Sequence, residues 1–109
     1  MKVYKFGGAS IKDALGVKNV AYILQQEGAS NCLLVISAMG KMTNAFENII
    51  NASINNNQDK LTESIDLTIN FHTKIISGLF QDDHKIHQKV TILFGEMIHF
   101  LAENTSKEY

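Results

Sequence analysis

Lys5, Gly7, Gly8 and Ser10 fall within six residues of one another near the start of the chain, in the order Lys5-Phe6-Gly7-Gly8-Ala9-Ser10. Glycines without a Cβ let a polyphosphate approach main-chain N–H groups, and a helix that follows adds its positive end. A lysine beside them can neutralise the anion as a point charge. The stretch reads either as a phosphate cradle or as a plain tight turn after a strand. A second group of small polar residues, Ser37 to Thr43, follows an apolar run. Glu96 interrupts a third apolar stretch, between Leu93-Phe94 and Met97-Ile98. A carboxylate in such company needs solvent or a partner. It is either an exposed position on a helix or an acceptor for a cationic group such as the ammonium of an amino acid.

Other patterns carry less. Gly40-Lys41 is not a Walker loop, because Val35 stands where the first glycine belongs and Met42 where Ser or Thr should follow the lysine. No G-x-G-x-x-G dinucleotide fingerprint occurs. His84 and His87 have a spacing a metal could use. Asp82 and Asp83 beside them suit the amino end of a helix, so a solvated helix start is the preferred reading. His72 and His99 lie within helical patterns and read as structural.

These residues need elements to hold them. Val3 to Phe6 reads as a short buried strand ending at Gly7-Gly8. From about Ile11 the pattern turns helical: Ser10-x-x-Asp13 resembles a capping box, Val17, Val20, Ala21 and Leu24 share a face, and Gly28 stops the helix. The continuous apolar run Cys32 to Ile36 suits a strand covered on both faces of a parallel sheet. Strand, helix and strand then form a βαβ unit. In open parallel sheets ligands bind beyond the carboxyl ends of strands, which is where both loops would lie. The remainder reads as helical: Asn44 to about Ser53, a connection at Asn55 to Gln58, a long helix with the stripe Leu61, Ile65, Ile69, His72, Ile76 and Leu79, and a last helix with the stripe Ile86, Val90, Leu93, Met97 and Leu101. Glu103 to Tyr109 reads as a fraying polar tail.

A length of 109 residues suits one domain with a small core. A formal charge of −1 gives no electrostatic argument for nucleic acid or an anionic membrane as partner. No apolar stretch approaches the roughly 18 residues of a membrane span, and the amino end does not read as a signal peptide, so a cytoplasmic location is expected. Cys32 is the only cysteine, which rules out an internal disulfide. The chain has no arginine, so a bidentate grip on a carboxylate must come from elsewhere. Two buried parallel strands also need neighbours on their open edges. The pattern therefore reads as the opening of a larger α/β domain.

The three motifs together resemble aspartokinases of the amino acid kinase superfamily. Lys5-Phe6-Gly7-Gly8-Ala9-Ser10 is similar to that family's KFGG-x-S opening, with Ala9 where threonine is more usual. Val35-Ile36-Ser37-Ala38 through Thr43-Asn44 resembles its V-x-S-A…T-N segment, and Phe94-Gly95-Glu96 its helical G-E. The resemblance implies that residues 1–109 form the amino-terminal segment of the catalytic domain, part of an α/β/α sandwich with parallel strands, without the ATP-binding half or the regulatory ACT domains. It implies transfer of the ATP γ-phosphoryl group to the β-carboxylate of L-aspartate, at the start of lysine, threonine and methionine synthesis. By the same resemblance Lys5 neutralises the phosphates, Gly7 and Gly8 donate main-chain bonds, Ser10 binds at the phosphate–substrate junction, Ser37 and Thr43 line the aspartate pocket, and Glu96 receives the ammonium. Mg²⁺ accompanies ATP, with no ligand for it evident in this chain. A homo-oligomer is compatible with this reading. The alternative expectation is a non-catalytic, truncated kinase-like module that works by self-association or subunit pairing.

Overall fold

A computed structural model describes residues 1–103. It is a mixed α/β structure with two parallel strands and four helices. In chain order these are β1 (Lys2–Phe6), α1 (Ala14–Glu27), β2 (Cys32–Ile36), α2 (Met42–Ile54), α3 (Gln58–Leu79) and α4 (Ile86–Glu103). Two compact units result, one of Met1–Thr43 and one from Asn44 onward.

In the first unit the expected strand–helix–strand order holds. Lys2 pairs with Cys32 and the register runs to Phe6 with Ile36. The entry to α1 differs from the capping box expected at Ser10. Gly8–Ile11 forms a 3-10 turn, and the helix begins at Ala14. Asp13 is its N-cap: the carboxylate accepts the Gly16 N–H at 2.8 Å, satisfying one of the helix's orphan donors. Gly28 ends α1 with φ 74°, a conformation that glycine adopts without the Cβ penalty. Ile11 and Val20 are the buried side chains between β1 and the end of α1.

Neither strand is buried as the apolar runs suggest. Val3 is 62% exposed, and Leu33, Leu34, Val35 and Ile36 are between 39% and 56% exposed. Tyr4 and Phe6, on the opposite face of β1 from Val3 and Lys5, are half-buried. A two-stranded parallel sheet has an open edge on each side, and the described residues supply no third strand to cover it.

In the second unit α2 and α3 are joined by a tight turn. Asn56 takes the left-handed conformation at φ 54°, Asn57 donates its N–H to the Ala52 carbonyl, and the Asn57 side chain caps α3 by accepting from Lys60 N–H at 3.2 Å. The asparagine-rich break in the apolar pattern is therefore the turn itself, built from the residue type that tolerates both roles. The stripe foreseen on α3 is half-buried throughout, while the deepest positions beside it are Thr68 and Ile75. Thr68 is tolerated there because its hydroxyl donates to the Ser64 carbonyl at 2.9 Å. On α2 the buried residues are Met42, Ala45, Ile49, Ala52 and Ser53, with Ile49 the deepest, and they follow helical spacing.

α3 packs against α4. His72 is structural as expected: Nδ1–H donates to the Thr68 carbonyl at 2.8 Å, and the ring meets Phe94 edge-on with centroids 5.5 Å apart. Phe94 thus takes the place in the inward stripe of α4 that the periodicity assigned to Leu93, which is 62% exposed. His84 Nδ1 accepts the Ile86 N–H at the start of α4, and the His87 ring bonds the Gln81 carbonyl. Both rings are thereby committed to the helix entry.

Candidate functional site

The parallel register brings the ends of β1 and β2 to the same margin of the sheet. With Phe6 opposite Ile36, the chain leaves both strands side by side. Ser37 N–H extends the ladder by donating to the Phe6 carbonyl at 3.1 Å. One turn later Gly40 N–H donates to the Gly8 carbonyl, also at 3.1 Å. The diglycine bend and the Ser37–Lys41 bend are therefore bonded to each other.

The two glycines do different things. A Cβ on Gly8 would lie 2.5 Å from the Gly40 carbonyl oxygen and 3.0 Å from that of Ala38. Gly8 is glycine because the second loop's backbone passes against it. A Cβ on Gly7 would meet nothing within 4 Å, and its φ of −82° is open to any residue. Neither packing nor conformation within the described residues calls for glycine at position 7. The space its Cβ would occupy is open beside a main chain that ends a strand.

Around this junction stand the other residues singled out from the sequence. Lys5 lies on β1 opposite Val35, exposed, on the same face as Val3 and Leu33. Ser10 is exposed, and its N–H returns to the Gly7 carbonyl at 3.1 Å, closing the 3-10 turn. Ser37 is exposed and its hydroxyl donates to the Ala38 carbonyl at 3.0 Å. Thr43 sits exposed in the first turn of α2. No family model matches this chain, and no curated protein matches it.

The first unit carries polar groups near the two bonded loops. It offers an exposed ammonium on β1, a glycine whose Cβ volume is empty, and hydroxyls at Ser10, Ser37 and Thr43. Sequence reasoning gave Gly40 no role except as a failed Walker glycine. It is in fact the partner that ties the loops together, and its φ of 53° explains its residue type. Lys41, exposed in the same bend, gives this loop a cation of its own.

Glu96 belongs to the second unit. It is exposed on the outer face of α4, with Ile92 and Leu93 one turn before it and His99 and Phe100 one turn after. Ile92, Leu93 and Phe100 are each at least half exposed, so the carboxylate stands within an uncovered apolar face. Among the described residues no group of three or more His, Cys, Asp or Glu side chains could hold a metal ion. No helix among them is long and apolar enough to cross a membrane.

Proposed function

We propose that this chain is the opening segment of an aspartokinase catalytic domain, the first strands and helices of an amino acid kinase α/β/α sandwich. The reaction is attack of an L-aspartate β-carboxylate oxygen on the γ-phosphorus of ATP. An acyl-phosphate P–O bond forms, the bond to the bridging oxygen breaks, and ADP leaves. A carboxylate nucleophile is already ionised at neutral pH and needs no general base. Catalysis then rests on alignment and on neutralising the phosphoryl oxygens.

The observation that carries this reading is the Gly40 N–H bond to the Gly8 carbonyl, which holds both strand-end loops at one place. The empty Cβ volume at Gly7 supports it, because polyphosphate needs that approach. In this reading Lys5 neutralises phosphate, Gly7 and Gly8 offer main-chain N–H groups, and Ser10 bonds at the junction of phosphate and substrate. Ser37 and Thr43 line the aspartate side, and Glu96 takes the ammonium. Mg²⁺ enters with ATP. The guanidinium for the α-carboxylate comes from outside these 109 residues, which contain no arginine. The location is cytoplasmic, and the complete enzyme a homo-oligomer.

Two measurements test this. Tripolyphosphate added to the labelled chain should shift the amide resonances of Gly7, Gly8 and Ser10 more than any others; an unchanged spectrum removes the cradle. The chain alone should form no aspartyl hydroxamate from aspartate, ATP, Mg²⁺ and hydroxylamine. Turnover by these residues alone contradicts their role as one part of a site.

A second reading is favoured by the exposure of Leu33, Leu34, Val35 and Ile36. A strand apolar on both faces and open at its edge is suited to pairing with another subunit. In that case the chain is a non-catalytic module that self-associates. Light scattering after gel filtration separates the two: a monomer at every concentration excludes self-association, and a dimer that Val35→Lys dissociates supports it.

A further inference from the structure

The second unit contains a cleft that the strand-end chemistry does not use. It has a volume of about 340 Å³ and lies between α2 and α3. Asn48 and Asn51 line it from one face of α2 at a spacing of three residues, and Asn55 lines it from the turn that follows the helix. Lys60, Glu63 and Ser64 line it from α3. The floor is made of small apolar side chains, Ala45 and Ala52, and the volume exists because nothing larger stands there.

The charges in this cleft are unspent. Among the described residues the ion pairs are Lys2–Glu27 and His99–Glu103, and neither includes Lys60 or Glu63. The lysine precedes the glutamate by one turn, the weaker orientation for a pair on a helix. No hydrogen bond among the described residues engages the carboxamides of Asn48, Asn51 and Asn55, whereas that of Asn57 is committed to its cap. The cleft thus presents one cation, one anion and three groups that each donate and accept. A nucleotide would meet an unfavourable carboxylate and no stacking ring. A saccharide would find no aromatic platform.

From this arrangement we propose that the α2–α3 cleft binds a free α-amino acid with a polar side chain. Lys60 takes the carboxylate, Glu63 the ammonium, and the asparagines the side chain. The inference uses only the second unit's residues and stands whether or not the strand-end loops hold ATP.

The test is a titration of the labelled chain with L-asparagine and L-glutamine, read at the side-chain NH₂ resonances of Asn48, Asn51 and Asn55. Both should shift these resonances at millimolar concentration. N-acetyl-asparagine amide, which lacks both charges, should bind at least about tenfold more weakly. Lys60→Gln and Glu63→Gln, whose exposed side chains make no hydrogen bond or ion pair among the described residues, should each weaken binding by a similar factor while leaving the thermal midpoint unchanged. L-Leucine should bind more weakly than either amide. No shift with any free amino acid overturns the proposal, and so does equal binding of the capped compound. Equal binding of leucine, or full affinity in both glutamine variants, overturns it equally.

Discussion

Gly40 and Gly8 are joined through their main chains, N–H to carbonyl at 3.1 Å, although 32 positions separate them in a chain whose strands are only five residues long. The bond exists because the parallel register ends both strands together, and because Gly8 leaves room for the second loop's backbone. Every functional role proposed for the first unit depends on this one close approach.

Two alanine substitutions separate packing from binding at this junction. Gly8→Ala places a Cβ against two carbonyl oxygens of the second loop, so the loop must shift or the chain must strain. A loss of about 1–3 kcal/mol is expected, the range for overpacking, read as a lowered urea midpoint. Gly7→Ala meets nothing and should leave the midpoint within about 0.5 kcal/mol. If Gly7 serves phosphate, the same variant loses the tripolyphosphate response. A large stability loss at Gly7 with an unaltered response would reverse the assignment of the two glycines.

The helix caps are independent of any ligand. Asp13→Ala removes the acceptor for Gly16 N–H, and Asn57→Ala the acceptor for Lys60 N–H. Each should destabilise its own unit by about 1 kcal/mol. Ser10→Ala, at the position the sequence pattern suggested as the cap, should cost much less. Circular dichroism during urea unfolding reads all three, and a larger effect at Ser10 than at Asp13 would return the cap to the earlier residue.

Burial sets the contrast between Ile49 and Leu93. Ile49 is 2% exposed and Leu93 62% exposed. Ile49→Ala should cost about 2–5 kcal/mol, through lost transfer energy and an unfilled cavity. Leu93→Ala should change stability by less than about 1 kcal/mol, despite the apolar periodicity that includes it. Equal losses would mean that the outer face of α4 is covered in solution.

The Tyr4 hydroxyl is buried without a hydrogen-bond partner. Removing an unsatisfied polar atom relieves a desolvation penalty, so Tyr4→Phe should leave the chain as stable or up to about 1–2 kcal/mol more stable. A destabilised Tyr4→Phe protein would reveal a partner for the hydroxyl in solution.

Local signals in the amino-acid order determined much of this protein. The βαβ opening, the Gly28 stop, the asparagine turn and the α3 stripe each depend on a few neighbouring residues, and each is found where the pattern puts it. That the two loops lie side by side was legible too, since the strand ends of a parallel sheet place them. Only the tertiary structure decided the rest. Asp13 instead of Ser10 caps α1 because the 3-10 turn delays the helix by one turn. Phe94 instead of Leu93 faces His72 because two adjacent apolar residues satisfy the helical period almost equally, and the partner helix chooses between them. Gly40 gained its role from a backbone 32 residues away, which no spacing rule encodes. Leu33 to Ile36 read as a buried strand because hydropathy reports what a segment can bury, while exposure depends on what is there to cover it.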